Sequence, residues 1–443
     1  MNDTIFALST AEGRAGIAVL RVSGPQSADV VRRVTGKAVP EPRLAVHRIF
    51  SDPRNGDAID DGLVLFFKAG ASYTGEDSAE FHCHGGFAVV AAMLDMLSAQ
   101  VDLRLAEPGE FSRRAFENGV LDLTQVEAVA DLIDAETEAQ RAQARRQMDG
   151  NLSIKTECWR KSLVRSLAHI EAEIDFPDEE LPDGIGAAVR APIADLKAEI
   201  EGHLADRSGE RLRRGLEVAV VGPPNAGKSS FVNRLCGREA AIVTEIAGTT
   251  RDVVEVHLDF RGLPLTLADT AGLRETADIV EQEGVRRARA RAAAADIVIL
   301  LLDASIGAED SGAVYEEIKA DLTLINKSDL AGGKLGPQAV LEGLAISVKT
   351  GAGWSNAMVA METIARRKVG SGSAPLITRA RHRSAFEGCA ESLGAFLDGA
   401  ETLPPELLAE ELRQAARALG RVAGAVDVED LLDVVFRDFC IGK

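Results

Sequence analysis

The sequence predicts a multidomain chain that combines an α+β domain at the N-terminus, a helical domain, and an α/β domain inserted into the helical one. Its 443 residues exceed one ordinary domain of roughly 150 residues. Hydrophobic residues make up 46% and charged residues 27%, which is usual for globular chains and argues against disorder. The apolar pattern becomes helical near residue 120, strand-like near residue 216, and helical again after residue 370.

The first predicted domain comprises residues 1–118. Apolar runs at residues 17–22 and 63–67 predict strands, and residues 87–97 predict a helix. Glycine and proline separate these segments, as they do between the short elements of mixed domains. This segment therefore has the pattern of an α+β domain.

The helical domain is predicted in two parts, residues 119–214 and 371–443. Thr124 and Glu127 have the spacing of a capping box, which marks the start of a helix. Helical patterns then continue, and one of them covers residues 191–208. After a short linker rich in Gly, Ser and Ala, the chain returns to helical patterns.

The inserted domain is predicted over residues 215–370. Five apolar runs in it predict strands, at residues 216–222, 254–260, 263–268, 296–303 and 321–326. Helical stretches lie between several of these runs, which predicts a mostly parallel sheet.

Charge and cysteine content exclude some classes of protein. The 69 acidic and 50 basic residues give a net charge of −19, which excludes a protein that coats nucleic acid through a generally basic surface. The five cysteines are scattered without a C-x-x-C pair, so neither a disulfide framework nor a zinc site is indicated. The first ten residues lack a signal-peptide pattern, and no run reaches 18 apolar residues. We therefore expect a cytoplasmic protein with no membrane association.

The strongest motif lies at residues 222–229, which read G-P-P-N-A-G-K-S and match the phosphate-binding loop G-x-x-x-x-G-K-[ST]. A predicted strand precedes it and a predicted helix follows, as this motif requires. Its glycines let backbone N–H groups surround phosphates, and Lys228 would reach the β and γ oxygens. The hydroxyl of Ser229 is suited to Mg²⁺.

Three further motifs, at residues 248–252, 269–272 and 326–329, follow along the chain in the order expected of a GTP site, and a fourth element begins at Ser347. Residues 326–329 read N-K-S-D, and the carboxylate of Asp329 would accept hydrogen bonds from guanine N1 and N2, a donor pair that adenine lacks. Residues 269–272 read D-T-A-G and fit the D-x-x-G motif that senses Mg²⁺ and the γ-phosphate. Residues 248–252 supply a switch-type threonine, and Ser347 begins a second guanine loop. This combination resembles the translation-factor-like GTPases.

The usual water-orienting residue is missing. Leu273 follows the D-x-x-G motif, where Ras-type enzymes carry a glutamine. Glu281 could orient the attacking water through a second water molecule. Asn225 could help to hold K⁺, which would place positive charge where an arginine finger acts in other GTPases. For both residues, a solvated surface position is an equally open alternative.

Sequence blocks along the whole chain resemble the MnmE (TrmE) family of tRNA wobble-uridine modification GTPases. The blocks are D-T-I-F-A-L-S-T from residue 3 with the segment Gly13–Gly24, S-Y-T-G-E-D from 72, H-C-H-G-G from 82, P-G-E-F-S-R-R-A-F from 108, D-L-T-Q-V-E-A-V-A-D-L-I from 122, T-E-I-A-G-T-T-R-D from 244, D-T-A-G-L-R-E-T from 269, and F-C-I-G-K from 439.

The resemblance implies a folate-binding N-terminal domain that dimerises, a helical domain, and an inserted P-loop GTPase domain. In the resulting homodimer, the GTPase domains would meet when GTP and K⁺ are bound. A flavin-containing partner, MnmG (GidA), would join the complex. Together they would add an aminomethyl or carboxymethylaminomethyl group to C5 of the tRNA wobble uridine. A reduced folate, 5,10-methylene- or 5-formyl-tetrahydrofolate, would supply the one-carbon unit.

The resemblance also implies roles for individual residues of the GTPase domain. Glu281 would orient water, and Ser229 and Thr250 would hold Mg²⁺. The K⁺ ligands would be Asn225, Thr244, Ile246 and Thr249. Contacts to GTP would come from Asn225, Ala226, Gly227, Lys228, Ser229, Ser230, Thr244, Glu245, Ile246, Ala247, Gly248, Thr249, Thr250, Asp269, Thr270, Ala271, Gly272, Asn326, Lys327, Asp329 and Ser347.

The implied folate site comprises Arg21, Glu80, the position of Val120, and Lys443. This sequence departs from the family at Val120, where lysine is frequent, and the departure removes a positive charge that could pair with the folate. Cys440 would face the substrate carbon. From the residues alone a buried, unreactive cysteine is favoured at that position, whereas the terminal F-C-I-G-K block favours a functional one.

The H-C-H sequence at residues 82–84 offers three candidate metal ligands. Because side chains alternate along a strand, His82 and His84 should lie on one face and Cys83 on the other. This geometry favours pocket lining or packing over a metal site.

A second function stays open at this point. The chain could be a GTPase switch of ribosome assembly, similar to Era-like proteins, whose flanking domains only bind RNA. The N-terminal blocks and the terminal F-C-I-G-K favour tRNA modification.

Overall fold

The computed structural model describes residues 3–175, 185–238, 240–245, 256–267, 281–305, 318–330, 343–370 and 375–426, together with residues 432, 435, 436, 439 and 442. The chain forms two compact units. One unit comprises Met1–Ala130, Gln147–Leu181 and Leu403–Lys443, and the other comprises Asp131–Arg146 and Pro182–Thr402. Among the described helices, none has the length and apolarity needed to cross a membrane.

A six-stranded sheet organises the N-terminal part of the first unit. Its strands are β1 (Thr4–Leu8), β2 (Ala15–Ser23), β3 (Val46–Ser51), β4 (Ala58–Phe67), β5 (Ser78–Gly85) and β6 (Leu103–Leu105). They lie in the order β3–β4–β5–β2–β1–β6, and every pair is antiparallel except β1 with β6. The two strands predicted at residues 17–22 and 63–67 are confirmed and are longer than predicted.

Two helices cover one face of this sheet. The helices of this region are α1 (Ser27–Thr35), α2 (Phe87–Ser98) and α3 (Glu110–Glu117). Apolar side chains of α1 and α2 pack against Phe50 and Phe81 in one hydrophobic core. Because side chains alternate along a strand, Glu80 and His82 lie on the sheet face opposite Phe81. The predicted α+β character is confirmed, as is the helix at residues 87–97.

Helices follow the sheet, as the sequence predicts. They are α4 (Leu123–Asp134), α5 (Glu138–Met148), α6 (Asn151–Asp175), α7 (Ile185–Ala205) and α8 (Ser208–Arg214).

The start of α4 differs from the prediction of a Thr124–Glu127 capping box. Asp122 is the cap: its Oδ1 accepts hydrogen bonds from the hydroxyl of Thr124 at 2.7 Å and from the N–H of Gln125 at 2.9 Å. Gln125 Oε1 accepts the Asp122 N–H at 3.0 Å. The box therefore begins two residues earlier, since Thr124 is already inside the first turn.

A seven-stranded sheet organises the second unit. Its strands are β7 (Leu216–Val221), β8 (Ala240–Glu245), β9 (Val256–Phe260), β10 (Leu263–Leu267), β11 (Ile297–Asp303), β12 (Leu322–Asn326) and β13 (Leu344–Ala345). The order is β13–β12–β11–β7–β10–β9–β8. The pairs from β13 to β10 are parallel, and β9 is antiparallel to both of its neighbours. The predicted mostly parallel sheet is confirmed.

The parallel strands explain why the functional loops of this unit meet. Every residue of β10 and β11 is buried, as expected for strands covered on both faces. The helices of this region are α9 (Lys228–Arg238), α10 (Glu281–Ala294) and α11 (Trp354–Val369). Because β7, β11 and β12 are parallel neighbours, the loops after Val221, Asp303 and Asn326 leave the same edge of the sheet. This edge is where ligands bind in open α/β sheets.

Two long helices lie in the C-terminal part of the chain, α12 (Ala380–Gly399) and α13 (Pro405–Ala423). In the second unit α12 packs on α7, and in the first unit α13 packs along α6. Pro405 occupies the first position of α13, where its missing N–H costs no helical hydrogen bond. Both helices agree with the helical segments that the sequence predicts.

Candidate functional site

The predicted phosphate-binding loop connects β7 to α9. Its backbone is left-handed at Gly222 (φ +147°), Asn225 (φ +63°) and Gly227 (φ +97°). A Cβ atom at Gly222 would collide with the carbonyl of Leu301, so glycine is required there for close approach as well as for conformation. The strand, loop and helix therefore follow one another as the motif requires.

Lys228 lies at the first position of α9 and points back into the loop. Its Nζ donates hydrogen bonds to the carbonyl oxygens of Gly222 and Pro223, each at 2.9 Å. A phosphate oxygen is a stronger acceptor for an ammonium group than a neutral carbonyl. The N-terminus of α9, where Ser229 and Ser230 also lie, adds backbone N–H groups and the positive end of a helix dipole. The loop thus has the geometry of an anion site.

Asn326 joins this loop to the second predicted guanine loop. Its side chain is only 3% exposed. Nδ2 donates to the carbonyl oxygen of Ala226 at 2.8 Å, and Oδ1 accepts the N–H of Val348 at 3.0 Å. A Cβ atom at Gly227 would collide with Nδ2, so glycine also makes room for this bridge. One carboxamide therefore fixes the spacing of two loops.

The segment that follows Asn326 forms a tight turn. Lys327 has a left-handed backbone (φ +61°), and its carbonyl accepts the N–H of Leu330 at 2.9 Å. The N–H of Ser328 donates to the carbonyl of Ile346 at 3.1 Å, which attaches the turn to the guanine loop. Asp329 is exposed in this turn, so its carboxylate is accessible to a base. Ser347 is buried and supports the loop by accepting the N–H of Thr350 at 3.1 Å.

Two residues that the sequence reasoning missed support these loops. Asp303, at the end of β11, accepts a hydrogen bond from Lys327 Nζ at 2.6 Å. Burial raises the pKa of Asp303, but the hydrogen bonds from Lys327 and Ser305 outweigh burial and hold the pKa below its ordinary value. Arg234 of α9 donates to the carbonyl of Val348 and stacks on Trp354, 5.0 Å from the ring centre. Asp303 could have been found from the sequence, because it ends a predicted strand at the edge of the sheet where the nucleotide loops lie.

For some of the other predicted GTPase-domain residues only the position in a helix or strand is described, and the rest lie outside the described residues. Thr244 and Glu245 end strand β8, and Glu281 is the first residue of α10. Outside the described residues lie Ile246, Ala247, Gly248, Thr249, Thr250, Asp269, Thr270, Ala271 and Gly272, together with Cys440 and Lys443 near the C-terminus.

A second candidate site lies on the face of the N-terminal sheet opposite α1 and α2. Arg21 donates from Nε and Nη2 to Glu80 Oε1, at 3.1 and 3.0 Å. His82 Nε2 lies 3.3 Å from the other carboxylate oxygen. The hydrogen bond of His82 and the charge of Arg21 lower the pKa of Glu80 against the opposing effect of burial. The Arg21 guanidinium also lies over the rings of Tyr73 and Phe111, at 5.1 and 5.7 Å. The structure therefore combines an ionised carboxylate, a cation and two aromatic rings.

The remaining residues predicted for this site lie in two other segments. Val120 is 42% exposed and follows α3 by three residues. Near the C-terminus, the carbonyl oxygen of Gly442 accepts a hydrogen bond from the hydroxyl of Ser9 at 3.0 Å. The terminal F-C-I-G-K block thus reaches the end of β1 within the first unit. The predicted alternation along β5 is also confirmed, because Cys83 is buried whereas His84 is exposed.

The comparisons with known proteins identify the family of the chain. Residues 4–120 match the family model described as GTP-binding protein TrmE N-terminus, and residues 123–440 match the MnmE helical domain model. This chain belongs to the MnmE (TrmE) family. Members named tRNA modification GTPase MnmE include proteins from Parvibaculum lavamentivorans, 56% identical over 450 residues, and Paramagnetospirillum magneticum, 51% identical over 448. Both alignments cover the whole of each chain. The MnmE homologue of Rhodospirillum rubrum is 52% identical and covers all of this chain and 99% of its own.

Gly227→Ala tests whether the Asn326 bridge needs glycine in the loop. The new methyl group would meet Asn326 Nδ2 and force alanine into a left-handed backbone. We expect guanine-nucleotide affinity to fall by more than about 100-fold, equivalent to roughly 3 kcal/mol. The measurement is titration of the full chain with a fluorescent GDP analogue.

Gly237→Ala is the matched control for this loop variant. Gly237 lies in α9, the helix that follows the loop, and a Cβ atom there meets nothing within 4 Å. This variant should bind the nucleotide as the unmodified chain does. Equal affinities for the two alanine variants would contradict the proposed bridge.

Proposed function

We propose that this chain is a K⁺-activated GTP hydrolase that acts in tRNA modification with a flavin-containing partner. In this proposal a reduced folate supplies the one-carbon unit for an aminomethyl or carboxymethylaminomethyl group at C5 of the wobble uridine. The observation that carries the proposal is full-length membership in a family whose relatives are named tRNA modification GTPases. The joined phosphate and guanine loops supply the geometry for GTP.

The loop residues bind and orient the nucleotide. N–H groups at the start of α9 and the ammonium of Lys228 face the phosphates, while Asp329 accepts hydrogen bonds from guanine N1 and N2. The hydroxyl groups of Ser229 and Thr250 are the oxygen ligands that suit Mg²⁺. When bound there, Mg²⁺ would supply positive charge that offsets the charge developing on the β and γ oxygens.

Hydrolysis requires a substitute for the glutamine that Leu273 replaces. Asn225 is exposed in the phosphate-binding loop. Its carboxamide oxygen, with oxygen atoms of Thr244, Ile246 and Thr249, would make an all-oxygen donor set of the kind that suits a hard cation such as K⁺. When bound, K⁺ would supply positive charge beside the phosphates. Glu281, at the start of α10, is proposed to orient the attacking water. We further propose that the chain is a homodimer whose GTPase domains meet during the reaction.

The N-terminal face is the proposed folate site. Glu80 is held ionised by its neighbours, so it can accept hydrogen bonds from N–H groups of a pterin ring. Tyr73 and Phe111 add flat apolar surface beside Arg21. In the terminal block, Lys443 would contact the folate and Cys440 would face the substrate carbon. The contact of Gly442 with Ser9 supports this assignment, because it brings the block to the same domain.

The proposal also includes the location and the partners. The chain would act on tRNA in the cytoplasm, in a complex with MnmG (GidA). The alternative of an Era-like switch in ribosome assembly is less favoured, because the N-terminal family model covers residues 4–120 and the relatives named for tRNA modification align over the full length.

GTP turnover in KCl compared with NaCl, at equal ionic strength, tests the proposed cation. We expect hydrolysis by the unmodified chain to be at least about tenfold faster in KCl, because charge beside the phosphates stabilises the transition state. Asn225→Gly should lose this stimulation, since it removes the carboxamide while glycine tolerates the left-handed backbone. Retained binding of a fluorescent GDP analogue is the control for loop integrity. Equal rates in the two salts would rule out the K⁺ mechanism.

Val120→Lys tests the folate assignment through the position where this sequence departs from its family. The exposed position accommodates a longer side chain. A lysine there should tighten binding of 5-formyl-tetrahydrofolate several-fold, through a charge interaction of roughly 0.5–1 kcal/mol with the folate carboxylates. Equilibrium dialysis of the full chain measures this affinity, with Val120→Met as the uncharged control of similar length. Failure of both the unmodified chain and Val120→Lys to retain folate would remove this part of the proposal.

A further inference from the structure

The carboxylate of Asp303 is held rigidly at the end of β11. It is 1% exposed, and Oδ1 accepts both the N–H of Ser305 at 2.9 Å and its hydroxyl at 2.6 Å. Oδ2 accepts Lys327 Nζ at 2.6 Å. Because both oxygen atoms accept hydrogen bonds, the carboxylate is held in one orientation. In that orientation Oδ2 faces Lys327, which belongs to the turn that contains Asp329.

Lys327 transmits this constraint to the guanine motif. Its backbone is left-handed, a conformation that a lysine adopts only when its surroundings hold it there. The ion pair with Asp303 holds the side chain, and the hydrogen bond from Ser328 to Ile346 holds the next residue. A second contact, from the N–H of Ala304 to the carbonyl of Asn326 at 2.8 Å, ties the same two segments together.

We propose that Asp303 is a positioning residue for guanine-nucleotide binding, which acts through Lys327 to fix the turn that presents Asp329. The inference rests on the guanine-nucleotide binding of the proposed function. It assigns a role to a residue outside the phosphate-loop and N-K-x-D motifs. Loss of the carboxylate charge should let the turn relax, and the bound nucleotide should then leave faster.

A matched control residue lies in the same sheet, at the amino ends of the parallel strands. Asp321, just before β12, accepts a hydrogen bond from the N–H of Val298 at 3.0 Å and pairs with Lys368 Nζ at 3.0 Å. This pair is also a carboxylate with a lysine, but it lies at the amino end of the strand whose carboxyl end carries Asn326. A change at Asp321 therefore tests general destabilisation of the sheet without touching the nucleotide loops.

The experiment measures dissociation of a fluorescent GDP analogue from the full-length chain, chased with excess GDP in the presence of Mg²⁺. We expect Asp303→Asn to raise the dissociation rate about tenfold, and Asp321→Asn to change it by less than about twofold. Thermal unfolding of both variants reports their general stability. In a Lys327→Met background, which removes the ammonium, Asp303→Asn should add less than about twofold.

The possible outcomes distinguish a failure of the proposed function from a failure of the positioning role of Asp303. If the unmodified chain fails to bind the analogue, the proposed function fails. If it binds and Asp303→Asn releases the analogue at the unmodified rate, or if Asp303→Asn and Asp321→Asn accelerate release equally, the positioning role is wrong. Should Asp303→Asn not fold, Ser305→Ala removes one anchor of the carboxylate and should give a smaller acceleration in the same direction.

Discussion

The buried carboxamide of Asn326 is the constraint on which the nucleotide site depends. It donates to the phosphate-binding loop and accepts from the guanine loop, so the two ends of a bound nucleotide would be held at a fixed spacing. Its position at the end of β12 follows from the parallel sheet, which brings the relevant loops to one edge. Gly227 leaves room for the bridge, and Arg234 adds a second link from α9 to the guanine loop. An unpaired carboxamide this deeply buried would cost about 1–3 kcal/mol, so each loop stabilises the position of the other.

A buried arginine has a comparable role in the N-terminal domain. Arg114 of α3 is 1% exposed, and it donates to the carboxylates of Asp3 and Glu76, at 2.9 and 3.0 Å. These contacts join the start of β1, the S-Y-T-G-E-D loop and α3. The same loop and helix carry Tyr73 and Phe111, whose rings lie beside Arg21. The sequence blocks shared with the MnmE family thus contribute the two aromatic rings beside Arg21 and the buried charges that hold them in place.

Motifs with a fixed chain geometry could be predicted from the sequence, whereas contacts between distant segments could not. The strand, loop and helix around Lys228 were predictable because few backbone paths satisfy G-x-x-x-x-G-K-[ST]. The edge strands β3, β6, β8 and β13 are among the strands that were missed, because each contains only a short apolar run. The cap of α4 was placed two residues late because two overlapping tetrapeptides have the same spacing. Asp303 was missed because its partner, Lys327, is 24 residues away and meets it only through strand pairing. Domain boundaries at residues 118, 214 and 370 stay predictions, as do the roles of the site residues.

The transfer of an isotope label from folate to tRNA tests the central claim most directly. The full chain would be incubated with its flavin-containing partner, GTP, Mg²⁺, K⁺, unmodified tRNA, ammonium or glycine as the source of the amine, and a reduced folate that carries ¹³C in its one-carbon unit. The account predicts one added ¹³C in the modified wobble nucleoside, detected by mass spectrometry, and predicts that the label is absent without GTP. A modified nucleoside that forms without the label would contradict the folate chemistry. Formation of the labelled nucleoside without GTP would contradict the coupling to GTP hydrolysis.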